Sequence, residues 1–344
     1  MERRGSAEDR STAKPASDSR SSSGGWLFSP AADLMSIANL WWVAAAWPGW
    51  LLTDGTSMLE FWQVYFLSTP HRWLTLLLVA SDPERRTERP RRLIWWAVGL
   101  LACVVAVPIA GYSVTCLLVV DYLWNAWHFG AQHGGILRIY SRRDGGPAWR
   151  HEAWVMRTLV PYTSLRLAGW TTGWMAADSP AVMALRGLDI AIAGVAVAWC
   201  VREWLVGPAV RLAKCSYATS VIAIYVSLLL AVDRQSVRWI ATLVVASAAF
   251  HAVEYLAIVT YYAERRRTTG RAAWIQRLAR QWLAVLVVFL IGIAVVGWWG
   301  DRRWPTVWLG VNLWVAFLHY AYDGLIWKLR QPATAERLAV SGSP

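Results

Sequence analysis

Charge is scarce in this chain. Only 16% of its 344 residues are Asp, Glu, Lys or Arg, where a soluble domain carries about 25%. With 56% hydrophobic residues and a mean hydropathy of +0.33, that shortage excludes an ordinary water-soluble globule. Lysine is nearly missing: Lys14, Lys214 and Lys328 stand against a background of arginine. The net charge of +12 does not point to nucleic acid, because the arginines cluster in short loops between apolar segments, as in cytoplasmic loops of membrane proteins. Cysteine is sparse too. Cys103, Cys116, Cys200 and Cys215 form no CxxC and lie in or beside apolar runs, so they read as small buried hydrophobes. No Walker motif, nucleophile elbow, HExxH or dinucleotide fingerprint occurs, which removes the sequence signatures of several enzyme classes.

Tryptophan and long apolar runs are abundant. The 26 Trp include Trp41, Trp42, Trp95, Trp96, Trp298, Trp299 and Trp304 near expected helix ends, where an interfacial aromatic belt would place them. Runs of about 20 apolar residues are long enough to cross a bilayer as helices. The expected fold is all-α, a polytopic transmembrane helix bundle of about ten spans: 32–53, 58–80, 92–111, 113–138, 154–175, 181–201, 215–232, 238–262, 281–299 and 304–327. Every second loop is basic. Residues 82–92, 138–150 and 264–280 are rich in Arg, and Arg211 and Lys214 follow the sixth span. This alternation puts both termini in the cytoplasm. Residues 1–30 read as a disordered cytoplasmic tail without the apolar core of a signal peptide. Residues 31–330 form one membrane domain, and 331–344 a short cytoplasmic tail. The expected location is a cell membrane, most simply a bacterial inner membrane.

Five of the six histidines fall within these apolar segments. Under this topology the even-numbered spans all run inward. His71 lies ten residues before Ser81, His128 ten before Arg138, His251 thirteen before Glu264 and His319 nine before Lys328. At about 1.5 Å per residue the four depths agree within roughly 6 Å. A polar group in hydrocarbon costs several kcal/mol unless partnered, so a layer of imidazoles predicts a shared site.

Neighbouring residues extend the pattern. Asp121, Asn125, His128 and Gln132 share one face of the fourth span. His251 and Glu254 are three apart on the eighth, beside Tyr255. Asn312, His319 and Asp323 share a face of the tenth, and Gln63 and Pro70 accompany His71. Neutral imidazole is the commonest protein ligand for iron, copper and zinc. The expected metal ligands are therefore His71, His128, His251, His319, Glu254 and Asp323. Asp121, Asn125, Gln132, His133, Tyr255 and Asn312 are expected to surround and orient them. His133 lies about 140° around the helix from His128, and His151, beside Glu152, reads as a solvated residue. Arg186 and Asp189, three apart on the sixth span, are expected to pair.

The stretch Trp127-His128-Phe129-Gly130 resembles the His-Phe-Gly segment of the bacterial Brp/Blh-type carotenoid-cleaving membrane enzymes. That resemblance implies a multi-span protein holding one iron through histidines on several helices, with His128 a ligand. Where that family carries paired histidines, this chain reads His251-Ala-Val-Glu254. The expected function is an integral membrane metalloprotein, an oxidase, oxygenase or desaturase-like enzyme using a transition metal such as iron. Its partners would be membrane lipid and a lipophilic small-molecule substrate. Two alternatives use the same residues: a proton-coupled or small-solute transporter, and a haem-binding electron-transfer protein.

Overall fold

Apolar runs of this length must satisfy their own backbone polar groups, and a helix does so within the segment. The computed structural model describes residues 25–51, 61–81, 90–144, 150–171, 180–206, 211–264 and 281–328, with Thr334 and Leu338, and contains no strand among them. The helices are α1 (Pro30–Ser36), α2 (Trp41–Leu51), α3 (Phe61–Ser81), α4 (Pro90–Ile109), α5 (Thr115–Arg143), α6 (Arg150–Thr171), α7 (Pro180–Val206), α8 (Leu212–Asp233), α9 (Val237–Glu264), α10 (Trp282–Arg303) and α11 (Pro305–Ile326). Most of both expected tails, the arginine-rich stretches at 82–89 and 265–280, and Gly145-Gly146 lie outside the described residues, as does the side chain of Gln63.

Among the described residues, four segments are long and apolar enough to cross a membrane: α4, α7, α8 and Val237–Tyr262 of α9. The outer two, α4 and α7, leave large apolar side chains such as Ile94, Trp95, Ile109, Met183, Ile190 and Leu205 more than half exposed. Apolar faces of that extent are stable against lipid rather than water. By contrast, α8 and α9 are mostly buried. They anchor the main core with α5 and α6 through Leu137, Tyr140, Met156, Tyr217, Val221 and Phe250. A second cluster joins α3, α4, α9 and α11 through Leu74, Leu93, Val259 and Leu318. A third joins α4, α5 and α11 through Val104, Leu117 and Phe317.

The first expected span is not one helix. It breaks between α1 and α2 at Asn39, whose φ of 50° is left-handed, a conformation Asn tolerates better than most residues. Asn39 is fully buried. Its amide donates to the carbonyls of Ile37 (3.1 Å) and Phe250 (3.2 Å) and its oxygen accepts from Trp41 (3.0 Å), so the break is tied to α9. Ahead of it, Asp33 accepts from the backbone of Leu27 and Phe28 and from Tyr140. The 11 residues of α2 rise only about 16 Å.

Glycine sets the tightest helix contact. A Cβ on Gly130 would lie 2.9 Å from the Met156 carbonyl, and one on Gly134 3.1 Å from the Ala153 Cα. These two glycines, four apart, let the backbones of α5 and α6 touch as small-residue seams do. Gly111, with φ of 80°, makes the turn between α4 and α5.

Two charge expectations change. Arg186 does not pair with Asp189. Instead Asp189 accepts from Nε (2.8 Å) and Nη2 (2.7 Å) of Arg166 on α6 and from Tyr162 (2.6 Å), while Arg186 pairs with Asp233 of α8 (2.7 Å). A neighbouring helix offers a guanidinium fork facing the carboxylate, which residues three apart on one helix do not present to each other. Lys214, expected among loop cations, is buried between Glu152 (2.6 Å) and Glu203 (2.7 Å).

Candidate metal centre

Four helices from different parts of the chain, α3, α5, α9 and α11, meet where the three apolar clusters adjoin, and each brings one of the expected histidines. The four imidazoles form a closed ring. Centroid separations are 5.0 Å for His71–His251, 5.1 Å for His251–His128, 4.6 Å for His128–His319 and 4.8 Å for His319–His71. Each ring meets its two neighbours edge to face. All four are buried, His251 and His319 completely. Phe129 stacks flat on His251 at 3.8 Å, closing that side of the ring with an apolar lid.

Among the described residues, two sets of three place ligand atoms within 4.8 Å of one another: His71, His251 and His319, and His128, His319 and Asp323. Asp323 Oδ2 lies 3.8 Å from both His128 Nε2 and His319 Nδ1. Among the described residues, Nε2 of His128, both ring nitrogens of His251 and Nε2 of His319 are shielded from solvent without a hydrogen bond. Leaving a buried polar atom unsatisfied costs about 1–3 kcal/mol.

Thr75 is a central residue that the sequence pattern did not single out. It sits one turn after His71 on α3 and is fully buried. Its hydroxyl meets Nδ1 of His319 at 2.6 Å, the Tyr255 hydroxyl, and Oδ1 of Asp323 at 3.4 Å. Tyr255 in turn donates to Asp323 Oδ1 at 3.0 Å, and Trp327 Nε1 donates to the same oxygen at 3.2 Å. Thr75 therefore occupies Nδ1 of His319 and leaves Nε2 without a hydrogen bond among the described residues. Its only sequence signal is the four-residue spacing from His71.

The other expected residues divide. Tyr255 joins the centre directly. Asp121 and Asn125 act at one remove: both accept from the Tyr320 hydroxyl at 3.0 Å, and Tyr320 packs on His128 with centroids 5.1 Å apart. Arg72 covers the Tyr320 ring at 5.6 Å. Asn312 stands apart, its amide donating to the Trp308 carbonyl of its own helix. That bond ties its side chain back to the carbonyl one turn earlier on α11.

Glu254, expected as a ligand or an acceptor behind one, stands beside His251. It is fully buried and 3.9 Å from His251 Nδ1, but its oxygens are engaged elsewhere. Oε1 accepts from Gln132 at 2.6 Å and lies 3.2 Å from His133 Nδ1, and Oε2 accepts from Tyr217 at 2.9 Å. His133 Nδ1 also meets the Tyr217 hydroxyl at 2.8 Å. Glu254, Gln132, His133 and Tyr217 thus form a second polar cluster against the back of His251. Gln132 reaches the His251 carbonyl (3.2 Å) rather than its ring. The rotation of His133 away from His128 follows the 140° expected of five residues on a helix. His151 is exposed, as its sequence context implied.

No family model, curated protein or solved structure matches this chain, so the functional reading rests on the chemistry of the site itself.

Proposed function

We propose that the protein is an integral membrane metalloprotein whose centre is held by His71, His128, His251, His319 and Asp323. One observation carries the reading: four buried imidazoles from four helices converge, with ring nitrogens of three of them lacking a hydrogen bond. A single divalent ion would satisfy several of these nitrogens at once. Because Thr75 holds Nδ1 of His319, that histidine has one nitrogen left to give, which favours one ion over two.

Histidines with one carboxylate and open positions suit non-haem iron, which when bound supplies oxygen activation. The proposed reaction class is oxidation, oxygenation or desaturation of a lipid or isoprenoid within a cell membrane. The finer topology, ten spans with both termini cytoplasmic, belongs to the same proposal and is supported by the alternation of basic loops. Haem fits less well. The imidazoles touch one another at 4.6–5.1 Å, leaving no gap for a porphyrin plane between an axial pair.

A proton-coupled transporter is the second reading, favoured by the buried cluster of His133, Tyr217, Glu254 and Gln132 beside His251. Elemental analysis separates the two. The metalloprotein reading expects a transition metal to co-purify with the folded chain and to be lost in the double variant His71→Ala/His319→Ala. Metal-free protein that acidifies proteoliposomes, with Glu254→Gln blocking the flux, would establish the transporter instead.

A further inference from the structure

A cavity of about 870 Å³ lies against the imidazole ring. Of the five residues proposed to hold the metal, His128 and Asp323 line it, and His71, His251 and His319 do not. Burial orders them the same way. His128 and Asp323 are 7% and 8% exposed, against 2% for His71 and 0% for His251 and His319. Other sides of the ring are occupied. Phe129 lies flat on His251, Thr75 holds Nδ1 of His319, and His71 meets His251 and His319 edge to face. Open space therefore reaches the ring at the edge where Nε2 of His128 stands 3.8 Å from Asp323. That nitrogen makes no hydrogen bond among the described residues.

Small residues make the room. Ala131 and Gly135 follow His128 by three and seven residues, on its face of α5. Ala321 and Gly324 flank Asp323 on α11, and all four line the cavity. A Cβ on Gly135 or Gly324 would meet nothing within 4 Å beyond its own helix backbone. Gly134 and Gly135 thus divide two tasks between neighbouring positions. Gly134 seats the α6 backbone, and Gly135, turned about 100° around the helix, faces open space. His128 is buried, Ala131 and Gly135 are half-buried and Gly324 is exposed, so the cavity has a mouth as well as a floor. Its lining mixes Trp96, Trp124, Ile258 and Leu325 with the cations Arg138, Arg142, Arg157 and Lys328. Such a mixture defines a route and no particular headgroup.

We infer that this cavity is the path by which a lipophilic substrate reaches the centre, that it arrives at the His128–Asp323 edge, and that Ala131 and Gly135 set what can pass. The volume lies in the range of single-ligand pockets. A larger side chain at position 135 would narrow the path about 10 Å along the helix from His128. That the arriving molecule is a substrate rests on the metal-centre reading; the open path does not.

Carbethoxylation by diethyl pyrocarbonate tests the path on the purified full-length protein in detergent, stripped of metal, with the modified histidines mapped by mass spectrometry. His251 and His319 also carry ring nitrogens without a hydrogen bond among the described residues, so unequal rates report access. His151, which is exposed, sets the open rate. His128 should react next after His151, and His251 and His319 at least about tenfold more slowly, since a group without a path reacts only through local opening. Gly135→Phe should slow His128 several-fold and leave His151 unchanged, and Ala131→Leu should do the same from a position nearer the ring. Oleyl alcohol, as a probe lipophile, should protect His128 and not His151. His128 reacting no faster than His251 and His319, a rate untouched by both substitutions, or no protection by oleyl alcohol overturns the inference. Loading with cobalt(II) keeps the two claims apart. Bound cobalt that protects the ring histidines supports the metal centre whatever the variants show. A chain that binds no cobalt while His128 stays open retains the path and removes the metal.

Discussion

A threonine hydroxyl orders the centre as much as any histidine does. Thr75 joins α3 to Tyr255 of α9 and to His319 and Asp323 of α11. Its sequence gives little sign of this, because threonine in an apolar helix usually bonds back to its own carbonyl four residues earlier. Thr163, Thr219 and Thr260 do so here, and Thr75 itself lies 3.5 Å from the His71 carbonyl besides its contacts across the bundle. Thr75→Val keeps the shape and removes the hydroxyl. Metal affinity should fall about 10–100-fold, as for other groups that orient a ligating histidine, and competition with a chelator would measure it. Away from the centre, burial pushes the Asp144 carboxyl up to about 6 from an ordinary 3.8, against the pull of Lys214, Arg211 and Arg143. Both its oxygens are shielded from solvent without a hydrogen bond among the described residues. Its folded-state pKa lies above the unfolded one, so the ionised carboxylate destabilises the fold fully above about pH 6. The penalty fades as pH falls toward 3.8. Asp144→Asn should therefore raise the melting temperature at pH 7.5, and the gain should vanish near pH 4. A gain of equal size at both values would contradict this account.

Periodicity made the helices of the site legible. On α5 the four-three-four spacing of Asp121, Asn125, His128 and Gln132 identified the inward stripe, and on α11 the spacing of His319 and Asp323 did the same. Spacing could not say which neighbour each side chain would choose. Asn312 lies on the expected face yet bonds its own helix, and Glu254 turns to Tyr217 of α8, a helix whose polar residues gave no comparable pattern. The break at Asn39 was hidden because its neighbours are apolar and only the polar residue itself marks the turn. The seam between α5 and α6 can be tested at this scale. Gly130→Val would drive its side chain into the Met156 carbonyl and the Arg157 backbone, which should cost about 1–3 kcal/mol and move His128 away from the ring. Gly135 has open space where a Cβ would go, so Gly135→Ala should be neutral or stabilise by up to about 1 kcal/mol. Thermal unfolding in detergent would compare the two, and equal losses would refute the close-contact explanation.

For the whole molecule, composition alone excluded a soluble globule, and the exposed apolar faces of α4 and α7 agree with that exclusion. Alternating basic loops imply a direction for every helix, and that implied direction predicts four histidines at one depth. Reporter fusions after residues 1 and 344 should both report the cytoplasm, and opposite signals would break the shared orientation of α3, α5, α9 and α11. Helix packing brings the four rings together, and the proposed reading gives them an ion to hold. X-ray absorption on the purified full-length protein tests this most directly. The account predicts one transition-metal ion per chain, bound by imidazole nitrogens with carboxylate oxygen and no sulfur, and lost on His319→Ala. Folded protein without a stoichiometric metal, or a metal with ligands that survive that substitution, would contradict it.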